Sequence, residues 1–209
     1  MMAGDRFVVI GAGGHAKVVV ATIEAAGGHV LQVLDDSPSL WGTAVMGRAI
    51  AGPISAELVP PGTLVVLAVG DNRGRASLAA RLPVRWGTVV HPSAIVHSSV
   101  VLGEGTVVFA GAVIQPDTRI GPHGIVNTSA SIDHDGALGS FVHIAPGAHL
   151  AGRVTVGDGT LIGVGSAVIP GMAIGAWATV GAGSAVIRNV ADGVTVAGCP
   201  ARLITKEQS

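Results

Sequence analysis

From Val90 onward, every sixth residue of the chain is aliphatic. The series runs Val90, Val96, Leu102, Val108, Ile114, Ile120, Val126, Ile132, Leu138, Ile144, Leu150, Val156, Ile162, Val168, Ile174, Val180 and Val186 without a slip. Two residues ahead of most of them stands a small side chain: Ala94, Thr106, Ala112, Thr118, Gly124, Ala130, Gly136, Ala148, Thr160, Ser166, Ala178 or Ser184. Val100, Val142, Val154 and Met172 are the exceptions. A period of six fits neither the 3.6-residue helical turn nor the two-residue alternation of a strand. It predicts a β-solenoid in which each hexapeptide forms one side of a triangular coil and three complete a coil of about 18 residues. The aliphatic residue points into the prism, and the small one fits the corner.

Composition agrees with a narrow, repetitive interior. Hydrophobic residues make up 49% of the chain but aromatics only 3%, so the core must be built from Val, Ile, Leu and Ala. The 32 glycines are spread along the sequence, which points to many tight turns rather than to a linker. A net charge of −1 with no basic run removes the electrostatic footprint of nucleic-acid binding. The single cysteine, Cys199, excludes an intramolecular disulfide and a cysteine-based metal cluster. Met1 to Arg6 does not read as a secretory signal, and no apolar stretch free of Gly or charge is long enough to span a membrane. The cytoplasm is therefore the expected compartment.

The first ninety residues follow a different rhythm, of strands alternating with helices. Phe7 to Ile10 reads as a strand and Ala16 to Ala26 as a helix ending at Gly27-Gly28. Val30 to Leu34 and Leu64 to Val69 read as two further strands, and Arg73 to Arg81 as a short helix. The pattern predicts a compact Rossmann-like α/β domain over residues 1–88, an all-β parallel β-helix over 89–190 and a capping segment over 191–209.

Between the first strand and helix lies Gly11-Ala12-Gly13-Gly14-His15. Glycines there let backbone N–H groups approach a phosphate at the positive end of a helix. With Ala16 the loop satisfies G-x-G-x-x-A, and Asp35 stands at about the distance expected of a dinucleotide fold. The unit is small for a two-lobed dinucleotide domain, however, and a solenoid brings no hydride chemistry. A tight turn without a ligand is the other reading of these glycines.

Eight histidines provide the candidates for proton transfer near neutrality. His134 falls two residues after the inward Ile132, at a corner and pointing outward, between Asp133 and Asp135. A carboxylate beside it can hold the ring's tautomer and raise its basicity. His143 falls one residue before the inward Ile144, on an outward flat side, and His149 has the same phase. His91, His97 and His123 read as surface or corner residues. Cys199 has no neighbouring base, which favours direct transfer over a covalent intermediate.

The hexapeptides, Gly11 to His15, Asp35-Asp36, the run from Asn127 to Asp135 and the ending Gly198 to Arg202 together resemble the sialic acid O-acetyltransferase-like group of hexapeptide-repeat acyltransferases. That group includes bacterial N-acetyltransferases acting on nucleotide-linked amino sugars. The resemblance implies a left-handed β-helix, acetyl-CoA as co-substrate, and a homotrimer with its site between adjacent prisms. It implies His134 as general base and Asp135 as its partner, where the family often carries Glu. It implies that His143, Val164, Ala182 and Gly183 contact acetyl-CoA, with Gly198 to Arg202 near the adenine end. The nucleotide sugar would be held by Gly13, Gly14, His15, Asp35, Asp36, Gly70 and Arg73. O-acetylation of a sugar such as sialic acid and a non-catalytic binding role stay open beside N-acetylation. Some hexapeptide-repeat proteins are zinc carbonic anhydrases, but no two solenoid histidines here are a whole coil apart, so no metal is expected.

Overall fold

A computed structural model describes residues 4–204. The N-terminal unit is a five-stranded sheet: β1 (Arg6–Ile10), β2 (His29–Leu34), β3 (Ala44–Val45), β4 (Arg48–Gly52) and β5 (Leu64–Leu67), in the order β3-β4-β2-β1-β5. All pairings are parallel except the β3–β4 hairpin. Phe7 to Ile10 are all buried, as a central parallel strand covered on both faces requires. Helix α1 (Gly14–Ala25) buries Ala16, Val19, Val20 and Ile23, the i, i+3, i+4, i+7 stripe of an amphipathic helix. Helix α2 (Asn72–Arg81) starts at Asp71, whose side chain caps the Gly74 N–H.

The sheet departs from expectation in two ways. Its third predicted strand ends at Leu67 rather than Val69, and the hairpin β3–β4 is additional. Only Ile50 and Gly52 of β4 are buried, too little apolar content for a sequence pattern to register. The turn is Met46-Gly47, both at positive φ, where Asn-Gly or Asp-Gly would have given the usual signal.

The rest of the chain forms the parallel solenoid, in two-residue strands repeating every 18 residues: Val89 pairs with Val107, Val107 with Ile125, Ile125 with His143. Three sheets line the prism. We call the first face that of Val89–Val90, Ile125–Val126 and His143–Ile144; the second that of Ser131–Ile132 and His149–Leu150; the third that of Arg119–Ile120 and Ala137–Leu138. All seventeen aliphatic positions point inward; those from Val108 onward are buried, while Val90, Val96 and Leu102 pack partly exposed at the open first coils.

The small corner residues explain their own identities. Thr106, Thr118, Thr160 and Ser166 are almost fully buried, and each hydroxyl donates to a backbone carbonyl fifteen residues on: Gly121, Asp133, Gly175 and Gly181. Each also accepts an N–H from eighteen residues on. A hydroxyl here ties successive coils together while leaving no buried polar atom unpaired.

The sheet domain packs on the first face and on the edge between third and first faces. Phe7, Val19 and Val66 share one core with Val89, Val107, Phe109 and Ile125. On that edge His123 and Phe141 stack one coil apart, planes 3° from parallel, with Trp86 edge-on to His123 at 4.7 Å. His123, expected at the surface, occupies its corner but is 4% exposed, because the sheet domain covers it.

Candidate active site

His134 lies on the edge between second and third faces. Its Nδ1 is 2.7 Å from Asp135 Oδ2, and both side chains are about half exposed, at 50% and 54%. Asp135 has φ 57, in the left-handed region that Asp tolerates better than most residues, and from there the short carboxylate reaches the ring. The backbone N–H of His134 donates to Asp133 Oδ1 at 2.9 Å, which anchors the corner. With Nδ1 donating to the carboxylate, Nε2 carries the free lone pair of a general base. It lies over Gly152, the matching position of the next coil.

His143 is on the first face, where the sheet domain covers it. Burial, then the nearby charge of Arg75 and His15, push its pKa down to about 4, while a hydrogen bond to the Gly70 backbone opposes the shift. Its Nε2 is 3.1 Å from Asn127 Nδ2, and Asn127 Oδ1 accepts the Thr128 N–H at 2.8 Å, which orients the amide. His15, at the start of α1, lies 6.2 Å ring to ring from His143 and 5.3 Å from Phe109. Burial and Arg75 lower its pKa to about 4 as well, and its Nε2 is buried without a hydrogen-bond partner.

Gly13, Gly14 and Gly70 share an informative property. A Cβ on any of them would meet nothing within 4 Å, and none has a positive φ. Neither packing nor backbone conformation asks for glycine there, whereas Gly11 needs it on both counts, with φ +101 and close approach to Ala68 and Val69. Bare backbone at these three positions, in two neighbouring turns, is what close approach of a phosphate would use.

Asp35 and Asp36 are committed internally. Asp35 accepts the N–H groups of Ala12 at 2.8 Å and Ser37 at 2.9 Å, tying the glycine loop to the end of β2. Asp36 accepts from the Ile54 N–H and pairs with Arg81 at 2.7 Å; these bonds lower its pKa. Arg73 stacks over Trp177, 4.5 Å from the ring centroid, in a cleft that Gly70, Asp71, Gly159, Leu161 and Thr179 also line.

Val164, Ala182 and Gly183 are exposed on the edge between first and second faces, in a column that passes through Asn127-Thr128. The column is stitched by Gly147 N–H to Thr128 O, Gly165 N–H to Pro146 O and Gly183 N–H to Val164 O, at 2.8–3.0 Å. Among the described residues no group of three or more His, Cys, Asp or Glu is placed to hold a metal, and no helix is long and apolar enough to cross a membrane.

One chain thus gathers His143, Asn127, His15, Gly70 and the glycine loop on the first face. His134 and Asp135 stand on the edge opposite that face. Sequence reasoning missed Asn127, Asn72 and Arg75 as individual residues. Asn72 and Arg75 are an i, i+3 pair on the buried side of α2, a spacing that could have marked them.

A family model, the PglD N-terminal domain, matches residues 6–82. The chain is similar to the UDP-N-acetylbacillosamine N-acetyltransferase of Bacillus subtilis (strain 168), 46% identical over 105 residues, a stretch covering 46% of this chain and about half (47%) of that relative. Among solved structures it is similar to the acetyltransferase domain of PglB from Neisseria gonorrhoeae FA1090 in complex with acetyl coenzyme A. Identity is 36%, TM-score 0.86, and coverage 96% of this chain and 100% of that one. It is also similar to PerB from Caulobacter crescentus in complex with CoA and GDP-perosamine. There identity is 40%, TM-score 0.90, and coverage 98% and 99%.

Proposed function

The chain belongs to the hexapeptide-repeat acetyltransferase group of the bacillosamine and perosamine N-acetyltransferases, and from that membership we propose that it transfers acetyl from acetyl-CoA to the amine of a nucleotide-linked amino sugar. The observation that carries this reading is the His134–Asp135 pair, 2.7 Å apart at an accessible edge, with Nε2 free to take a proton. The amine attacks the thioester carbonyl as Nε2 of His134 accepts its proton; the C–N bond forms and the C–S bond breaks. Protonated His134 returns the proton to the departing thiolate, and Asp135 stabilises the imidazolium between those steps.

The bare turns at Gly13, Gly14 and Gly70 would hold the diphosphate, with His15 beside them and Arg73 at the neighbouring cleft. Asp35 shapes that loop from within and Asp36 braces it, leaving the base and ribose to the exposed surface around them. The acetyl end of acetyl-CoA would lie at His143 and Asn127, whose amide has a second N–H to offer the carbonyl oxygen. The pantetheine arm would follow the edge of Val164, Ala182 and Gly183. Because His134 stands opposite the face carrying His143, a complete site needs a second copy, and a homotrimer of prisms provides one at each contact. The reaction is proposed for the cytoplasm.

The test is thiol release from acetyl-CoA across UDP-, GDP- and dTDP-linked amino sugars, with free sialic acid alongside. Turnover with one nucleotide amino sugar supports the reading. Activity confined to sialic acid, or none across the panel, overturns it.

A further inference from the structure

Of the three tryptophans, two have a partner for their rings: Trp86 stands edge-on to His123, and Trp177 carries the Arg73 guanidinium. Trp41 is placed differently. It is 41% exposed, and its Nε1 donates to the Asp35 carbonyl at 2.8 Å. With that N–H satisfied, the ring has only its apolar faces left to offer. The backbone beneath it is pinned on both sides. Its own N–H donates to the Pro38 carbonyl at 3.3 Å, and the Gly42 N–H to that of Ile50 at 3.0 Å. Leu40, one residue earlier, packs against the core of the sheet domain, whereas Trp41 turns out. A single exposed apolar residue is ordinary on a protein surface. A large planar ring tethered by its own N–H and left nearly half in water is a prepared surface.

Asp35 joins this ring to the glycine loop. Its carbonyl accepts from Trp41, and its carboxylate accepts the N–H of Ala12, the residue before Gly13. The side chains of Asp35 and Asp36 are occupied within the protein, by the Ala12, Ser37 and Ile54 N–H groups and by Arg81. We propose that Trp41 is the platform on which the nucleobase of the nucleotide-linked acceptor stacks. A base lies one ribose beyond its phosphates, and the indole lies one residue beyond the loop that would hold them. Every base has a π-face, so the stack contributes affinity without choosing among bases. Fixing the ring in advance lowers the ordering cost of the complex.

The inference rests on the nucleotide-sugar reading, and the experiment separates the two. Calorimetric titration with UDP, GDP and dTDP, without acetyl-CoA, finds the nucleotide that binds, and its addition is expected to quench tryptophan emission. Trp41→Ala is expected to weaken that binding roughly 10–100-fold, the range of a base–aromatic stack. KM for the matching nucleotide sugar should rise in parallel, with kcat nearly unchanged. Trp41→Phe keeps a ring without the tether, and is expected to retain most of the binding and lose the quenching. A wild type that binds nucleotide with unchanged emission overturns the proposal even if the alanine variant fails to fold. So does a folded Trp41→Ala that binds within about twofold of the wild type. A loss in Trp41→Phe equal to that in Trp41→Ala also overturns it, being the outcome expected if the indole only braces Asp35. In these three cases the nucleotide-sugar reading stands. A wild type that binds none of the three nucleotides overturns both.

Discussion

The imidazole of His134 occupies the space that a side chain on Gly152 would fill: a Cβ there would stand 2.5 Å from Nε2. Gly152 is not at a positive φ, so the ring, rather than the backbone, excludes a side chain. One coil thus sets the floor under the imidazole carried by the coil before it.

Gly152→Ala is accordingly expected to displace the ring and lower kcat by about 10²-fold while leaving thermal stability nearly unchanged. His134→Ala should cost roughly 10²–10⁴-fold. Steady-state kinetics beside thermal melts reads both. Full activity in Gly152→Ala would mean that the ring works from another rotamer.

If His134 and His143 serve one site from two copies, two inactive variants should complement each other. Mixing His134→Ala with His143→Ala chains under exchange conditions should restore activity to about a quarter of the sites in an equal mixture. A mixture as inactive as its parents would place both histidines in one chain's site or show that the copies do not share it.

Three histidines, His123 buried and His15 and His143 partly so, tie stability to pH. Burial is the main cause that lowers His15, His123 and His143 to about 4, below the 6.5 of an exposed ring. Between those values the unfolded chain binds protons that the folded chain refuses, so stability is full above about pH 6.5 and falls as pH drops toward 4. A melting temperature lower by on the order of 10 °C at pH 5 than at pH 7 is expected, and His143→Gln should flatten the dependence by one proton. A flat profile over that window would show the rings to be solvated.

Asp35 acts through the glycine loop. Asp35→Ala frees the Ala12 and Ser37 N–H groups and should raise KM for the nucleotide sugar about tenfold, with kcat less affected. Varying the sugar at saturating acetyl-CoA separates the two constants. A loss confined to kcat would instead give Asp35 a part in the chemistry.

The solenoid was legible because its code is local: each hexapeptide repeats one inward aliphatic and one small corner residue. The exposed corner position of His134 followed from phase alone, and the structure adds that Asp135 reaches it. What phase could not give was the covering of the first face. His143 and His123 read as outward residues and are outward of the prism, yet the sheet domain covers the first in part and buries the second. Arg75 spans that contact, and its sequence context, Arg73-Gly74-Arg75, does not say which arginine turns inward. The Met46-Gly47 hairpin escaped for a related reason, since a residue tolerating positive φ left no signature in its type.

Arg75 bonds to His123 and Phe141, and Asn72 Nδ2 donates to the Gly159 carbonyl at 2.9 Å, so helix α2 is fastened to three successive coils. A bare solenoid can unzip from an end one coil at a time, since each coil holds only its neighbours. Those three coils cannot open in sequence without first releasing the helix. Local opening is thereby converted into a joint event, and the amides between His123 and Gly159 should exchange with solvent together, more slowly than those of the last coils.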